Sequence, residues 1–523
     1  MRNKLFIPIL AAVAITGFGS CKKDFVDINT DPNHITSVNI NYNYLFTNAQ
    51  LIASGNSDAN GYEDWRNNLI YSSCMIQHLS STAGYWAGDK YTYNAGYNSA
   101  YWDNNFNNSI RNIVEVVSNT EKDPDQANFY NIARIFKVFM FQRMTDMYGD
   151  CPYSEAGLGY IKGVTSPKYD KQQSIYSYML TELQDAATKL DASKANSVKD
   201  ADLMYSGDVA AWKKFAYSEM VRIAMRMTKI DAANAQKWVQ TAATGGVMST
   251  AADDAVVGHE ATTGTPVPNG TGLILIGNDP TAYRLSKTFV DYLKSTSDPR
   301  LSYLATVCAD PGVGTDKGDT TWANQLGQPN GYDVPGSNSA FDLAKAPGYP
   351  GSQNKYSVVN RYTFSRLDAP SFLLTAGETQ LLLAEAAQRG WVTGTSAATY
   401  YTNGVTAAMQ MLTTAGAGPS GAAITAYLAT NPYNAGNAIN QVNSQYWVAS
   451  FMDENEAWAN WRRSGFPALT PVVYPNNVTG GTIPRRFTYP QGEASTNGTN
   501  YGAAVSGLDH GDKMTSHVWW DKP

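Results

Sequence analysis

Histidine and cysteine are scarce in this chain, five and four among 523 residues. His34, His78, His259, His510 and His517 are scattered without HExxH spacing, and neither a nucleophile elbow nor a phosphate loop is present. Cys74, Cys151 and Cys308 follow Cys21; an odd number at wide spacing argues against both a disulfide framework and a zinc site. Charged residues make up only 16% and the net balance is −6, so the basic patch that a nucleic-acid partner requires is missing. Beyond the N-terminus there is no run of about twenty apolar residues, so no membrane-spanning helix is expected there. The Asp- and Asn-rich loops lack EF-hand spacing, and no metal or cofactor is expected. What the chain has in excess is tyrosine and tryptophan, 33 and 12 residues. Each offers a flat apolar face with a polar handle, which suits sugar rings as well as helix-packing seams.

The N-terminus carries a targeting signal. Arg2 and Lys4 precede an apolar stretch at 5–15, within signal-peptide range and too short to span a bilayer. Gly17, Gly19 and Ser20 lead to Cys21, and this small-small-Cys ending resembles the lipobox of bacterial lipoproteins, in which the cysteine is lipidated and becomes the new N-terminus. Phe18 departs from the usual leucine. An ordinary signal peptide with an incidental Cys21 is the alternative. Residues 1–20 are read as signal peptide, 21–40 as an extended lipid-anchored tether, and 41–523 as one domain. Lys22, Lys23 and Asp24 resemble the charged tract that marks surface export in such lipoproteins.

Helical periodicity dominates the domain. Residues 126–148 place Phe129, Ile132, Phe136, Phe139, Met140 and Met144 on one broad face, and Gly149 and Pro152 end that helix. Residues 174–190 and 209–229 follow, the latter capped by Asp208, with starts separated by roughly the tetratricopeptide period of ~34 residues. A second helical zone covers about 371–461. In it, 381–387 ends at Arg389-Gly390-Trp391, a helix begins near Ser396, and another spans about 439–461. Residues 245–370 are rich in Gly, Pro, Asn and Asp and show only a short helix near 285–295; 415–440 and the tail after 470 are also loop-like. The expected fold is mainly α, a tetratricopeptide-like solenoid of helix pairs with long irregular insertions at about 245–370 and 470–523. Long loops on such a scaffold commonly carry function.

Several segments in order then resemble the SusD/RagB family of outer-membrane nutrient-binding lipoproteins, in its shorter-motif branch. They are Asp27-Ile28-Asn29-Thr30-Asp31-Pro32-Asn33, Ala133-Arg134-Ile135-Phe136, and the tract from Thr145-Asp146-Met147-Tyr148-Gly149-Asp150 to Glu155-Ala156. Tyr169-Asp170, Gly207-Asp208 with Trp212, Ala384-Glu385-Ala386-Ala387, Glu456-Ala457-Trp458, Trp461-Arg462-Arg463 and Pro484-Arg485-Arg486-Phe487 follow. The resemblance implies tetratricopeptide-like helix pairs and a lid over a SusC-type TonB-dependent transporter in the outer membrane, facing the cell exterior. It implies capture of oligosaccharides, or of peptides in some members, without catalysis. These motifs are read as scaffold: the segment from Asp146 to Glu155 as a helix end with capping carboxylates, Arg462 and Arg463 as partners of carboxylates.

Ligand contacts in this family come from variable loops, so the chain must nominate its own. The densest aromatic tract holds Tyr85, Trp86, Tyr91, Tyr93, Tyr97, Tyr101 and Trp102 with Asp89, Asn94, Asn98 and Asp103, broken by Gly84, Gly88 and Gly96. It reads as a loop before a helix. Trp86, Tyr85, Tyr91 and Asn94 are its candidate ligand residues, Trp86 first; packing against the helical core is the alternative. The second tract offers Trp322, Asn324 and Tyr332, beside Gln325, Asn330 and Asp333, and Tyr283 is a further choice ahead of Arg284 and Tyr356. A rival reading, a surface glycosidase, needs two carboxylates across a cleft. Asp453, Glu454 and Glu456 are expected on a solvated helix face, and Glu378 and Glu385 on one face of another helix.

Overall fold

The structure, a computed structural model, describes residues 40–55, 61–262 and 267–522, side chains at 61 and 62 excepted. The signal sequence, Cys21 and nearly all of the tether lie outside the described residues. Helix α1 (Tyr42–Ala53) sets Phe46 against Phe129, Phe136 and Trp212, ring centroids 5.6–6.2 Å apart. Helix α2 (Gly61–Asp64) runs on in wider π-helical turns through Trp65–Ser73. Helix α3 (Ala95–Asn105) continues the same way through Phe106–Ile110 into α4 (Arg111–Thr120). A helix was expected after the aromatic tract, without bounds; the other helices of this group were not expected. Asn67, Asn68, Ser72, Ser73, Asn98 and Asn105 are buried in them, so the apolar stripe is interrupted by side chains that hydrogen-bond inside the core.

The helices expected over 126–148, 174–190 and 209–229 form, and a helix that was not expected follows them at 232–245. Helices α5 (Ala127–Tyr148), α6 (Gln172–Lys189), α7 (Val209–Arg226) and α8 (Ala232–Gly245) pack successively as antiparallel-style helix pairs. Asp208 caps α7 by accepting from the amides of Ala210 and Ala211, and α5 stops at Gly149, whose φ of +85° a side chain would resist. After α9 (Lys287–Ser295) come α10 (Ala376–Gln388) and α11 (Ala397–Thr414), a close pair. A Cβ on Gly404 would stand 2.7 Å from Leu381, so glycine is what lets the two backbones approach. Helices α12 (Gly421–Thr430), α13 (Ala438–Ala449) and α14 (Glu454–Ser464) complete the set. The chain is mainly helical, as read from sequence. Its strands are short antiparallel pairs: β1 (Leu79–Ser81) with β3 (Tyr283–Leu285), β2 (Ala255–Val257) with β6 (Ser371–Leu374), and β4 (Ala305–Thr306) with β5 (Val358–Val359).

Two helix assignments are corrected. The 415–440 stretch holds α12, an alanine-rich helix whose cap Ser420 accepts from the Ala423 amide. The helix expected over 439–461 is two, because the chain turns between Ser450 and Asp453 with Met452 at φ +77°. The break aims three successive carboxylates apart. Asp453 meets Arg143, Glu454 meets His78 at 2.6 Å, and Glu456 meets Arg226. None of the three lies on a solvated face.

Along α7, Glu219, Arg222 and Arg226 share one buried face. The Arg226 guanidinium donates to Asp146 at 3.1 Å and to Glu456 at 2.5 Å. That of Arg222 donates to Glu378 at 3.0 Å and lies 3.6 Å from the second Glu456 oxygen. Tyr446 donates to Glu456 at 2.6 Å, and Trp520 and Tyr176 donate to Asp146. Asp146 is therefore a core residue and not a helix cap. Nearby, Arg463 holds Glu385 in a two-oxygen pair of 2.9 and 2.8 Å. Arg462 has no such pair; its guanidinium lies 3.8 Å from the Trp458 ring centre and donates to the Arg485 carbonyl. Asp453, Glu456, Glu378 and Glu385 are thus held against arginines and Glu454 against His78.

Burial alone would raise the Glu456 carboxyl; Arg226 and then Arg222 overcome it and hold the group down at about 2. Burial wins at Glu219, pushed up to about 7 against the Arg222 charge 3.4 Å away. The folded chain therefore keeps a proton on Glu219 that the unfolded chain releases near pH 4.5. Its contribution to stability is full below that value and is lost as pH rises through about 7. Thermal unfolding followed from pH 5 to 8 should show stability falling with pH, and Glu219→Gln should flatten that slope. An unchanged slope in the variant would remove Glu219 as its source.

Candidate functional site

The aromatic tract is where the sequence and the structure differ most. After β1 the chain makes a tight turn at Ala87–Asp89, passes Tyr91 at φ +53°, and enters α3 at Ala95. Gly88 presses so close to α2 that a Cβ would sit 2.4 Å from the Tyr71 carbonyl. The turn is thereby clamped onto the helical core, and its neighbours are buried with it. Trp86 is 0% exposed, its ring stacked 6.1 Å from that of Tyr283. Tyr283 is equally buried and bonds to the Leu275 carbonyl. Tyr91 is buried too, and its hydroxyl accepts from the Val472 amide at 3.2 Å. Asn94 caps α3 by accepting from the Tyr97 amide at 3.1 Å. Trp86, Tyr91 and Tyr283 are corrected to supporting positions, since a ring with no exposed face cannot stack on a ligand, while half-buried Asn94 uses its side-chain oxygen on the helix terminus.

Tyr85 is the exception. It is 44% exposed, and its hydroxyl donates to Asp279 at 2.6 Å. The other Asp279 oxygen accepts from the indole nitrogen of buried Trp86 at 2.8 Å. One carboxylate therefore couples the exposed ring to the buried one. Burial and the adjoining Asp279 both raise the Tyr85 hydroxyl's pKa, so it stays protonated as the donor. The half-buried ring of Trp65 meets Tyr85 edge-on with centroids 6.2 Å apart. The Arg66 guanidinium lies 5.8 Å from the Tyr97 ring centre on the neighbouring turn. Tyr85, Trp65 and Tyr97, with Arg66 and Asp279, form an aromatic platform edged by charge and amides. Trp65 and Asp279 escaped the sequence reading. The first sits in a helix without an apolar stripe, and the second is an ordinary-looking Asp-Pro turn residue.

The second tract is stitched to the first. Buried Asp89 accepts from the Gly331 amide at 2.7 Å, the Asn330 side chain at 2.6 Å and the Ser81 amide at 3.1 Å. Burial pushes its carboxyl up to about 6 against these bonds. Lys90 pairs with Asp333 at 2.9 Å. Tyr332 follows this seam, half-buried against Leu343, Ala346 and Tyr356, in a groove of about 400 Å³ with Lys287, Asp291 and Val473. Trp322 and Asn324 lie apart from it. Trp322 bonds to the Asp298 carbonyl beneath the Lys294 ammonium, and Asn324 donates to Asp319 at 2.6 Å. No cluster of three or more metal-ligating side chains occurs among the described residues.

Residues 32–490 match the SusD-like_2 family model, described as starch-binding, associating with outer membrane. Among solved structures, a chitin-binding protein is 34% identical, with a TM-score of 0.79 over 92% of this chain and all of that one. A SusD-like protein from Bacteroidetes AC2a is 26% identical, with a TM-score of 0.80 over 92% of this chain and all of that one. A chitin-binding SusD homologue from Flavobacterium johnsoniae shares the fold at 22% identity and TM-score 0.74, over 92% and 97% of the two chains. No curated protein matches.

Because Asp279 holds Tyr85 and Trp86 together, Asp279→Ala leaves a buried indole donor unpaired. A loss of roughly 2–3 kcal/mol is expected, from the cost of an unmet buried donor and lost charge-assisted bonds. Denaturant unfolding measures it; a midpoint equal to that of the unsubstituted protein would show that the coupling is not made.

Proposed function

Since the chain belongs to the SusD-like family of outer-membrane-associating glycan-binding proteins, we propose that it captures oligosaccharides at the cell surface and passes them to a SusC-type TonB-dependent transporter. The observation that carries this reading is the Tyr85 platform. Exposed ring faces stack on the C–H faces of sugars, and the bordering polar groups take hydroxyl hydrogen bonds. Chitin oligosaccharides are the first ligands to assign to it, given the chitin-binding relative at 34% identity. The reading is binding without cleavage, and it is supported by Glu378, Glu456 and Glu385 being paired with buried arginines. Trp322, Asn324 and Tyr332 remain as a second set of contacts for the same ligand class. Among the described residues no helix is long and apolar enough to cross a membrane. We assign attachment to a lipid on Cys21.

Titration calorimetry with chitin oligosaccharides, starch oligosaccharides and a peptide mixture tests the ligand. Tyr85→Ala and Trp65→Ala should each weaken sugar binding about fivefold, near the ~1 kcal/mol of one aromatic contact. Binding of peptides alone, or cleavage of any oligosaccharide by the purified protein, would overturn the reading. In cells, Cys21→Ala should shift the protein from the membrane fraction to the soluble one. Retention of the variant in membranes from cells lacking the barrel would refute the lipid anchor.

A further inference from the structure

Helix α3, its π-helical continuation and α4 make an unbroken rod from residue 95 to 120. The rod begins under the Tyr85 platform, where Tyr97 faces Arg66. Farther along, Asp103, Asn107 and Arg111 recur at every fourth residue, and all three are exposed. This is one stripe of hydrogen-bonding side chains along one side of a helix. Arg66 links it to the platform, for burial raises the Asp103 carboxyl and the neighbouring Arg66 charge opposes that rise. The Arg111 guanidinium has no carboxylate partner among the described residues.

The stripe leads into a groove of about 400 Å³ between this rod, the loop after α5 and the short helix Glu493–Thr496. Half-buried Phe106 lies along the helical wall. Tyr160, on the opposite wall, is 85% exposed on the four-residue helix Gly159–Lys162. Glu493 closes the far side and accepts from Tyr169 at 2.5 Å. A large ring held out into water lowers no folding free energy by burial. Here it stands over a groove of ligand-pocket volume, lined with carboxylate, amide and guanidinium groups. From Tyr97 to Arg111 the helical rise amounts to about 20 Å, longer than a disaccharide.

We propose that the groove under Tyr160 is a second subsite on the same binding face, so that one extended oligosaccharide runs from the Tyr85 platform along α3 to Tyr160. The inference rests on the oligosaccharide-capture reading above. It makes the protein select for chain length: short ligands occupy the platform alone, and long ones gain the Tyr160 ring with Asn107 and Arg111.

Calorimetry with chitobiose and chitohexaose on the full mature domain tests it, using Tyr160→Ala, Arg111→Ala and Tyr85→Ala. The first two alter exposed side chains, so folding is undisturbed. Wild-type protein should bind chitohexaose at least about tenfold more tightly than chitobiose. Tyr160→Ala should cost about fivefold on chitohexaose, in line with one aromatic contact, and nothing on chitobiose; Arg111→Ala should follow the same pattern. Tyr85→Ala should weaken both ligands. If Tyr160→Ala and Arg111→Ala leave chitohexaose binding unchanged while Tyr85→Ala weakens it, the second subsite is wrong and the capture reading stands. If the wild-type protein binds neither sugar, both fall.

Discussion

Two guanidinium groups on one face of α7 organise this molecule. Arg222 and Arg226 reach Glu378 on α10, Glu456 on α14 and Asp146 on α5, and through these they engage Tyr446 of α13, Tyr176 of α6 and Trp520 near the chain end. Buried ion pairs are weak sources of net stability, because desolvation consumes most of the attraction. Their directionality is another matter. A guanidinium has donors at fixed angles, so partners must arrive in one register. An apolar stripe would tolerate a helix sliding by a turn; this face does not. Removing Glu456, which faces both guanidiniums, would leave them short of countercharge where water cannot reach, at a cost of roughly 3–5 kcal/mol.

The helices around this centre were legible to the extent that they are apolar on one side. Phe129, Phe136, Phe139 and Met144 outline α5, and Ser396 and Asp208 mark helix starts by their capping chemistry. The π-helical run through Trp65–Ser73 and α3 were not legible, since buried asparagines and serines fill places where apolar residues would have signalled a core. The turn between α13 and α14 was hidden for a different reason. It contains neither glycine nor proline, and Met452 adopts its left-handed backbone because Asn68 caps the next helix from a distant part of the chain.

The binding face shows the same division. That the region of residues 85–103 is aromatic and interrupted by glycine is plain from sequence, yet adjacent aromatics point opposite ways. Tyr85 faces out and Trp86 faces in, and both are held by Asp279, almost two hundred positions later. Trp65 joins the platform from α2. A stacking surface built on rings whose backs are hydrogen-bonded into a core loses little freedom when a ligand settles, which favours affinity from modest contacts. The exposed face is thus small, while its support extends through Trp86, Tyr283 and the stitched turn at Asp89.

The indole of Trp520 donates to Asp146, 374 positions earlier in the chain. This gives the molecule a temporal property as well as a spatial one. A chain emerging N-terminus first presents Asp146 and Arg226 long before Glu456 and Trp520 exist to meet them. Its charged centre therefore cannot close until Glu456, 230 positions after Arg226, has been made. Until then α7 carries two guanidiniums without most of their eventual partners, which keeps that face wet and the helices around it unlocked. The molecule in this sense locks late, once the segments that carry all of these partners are present.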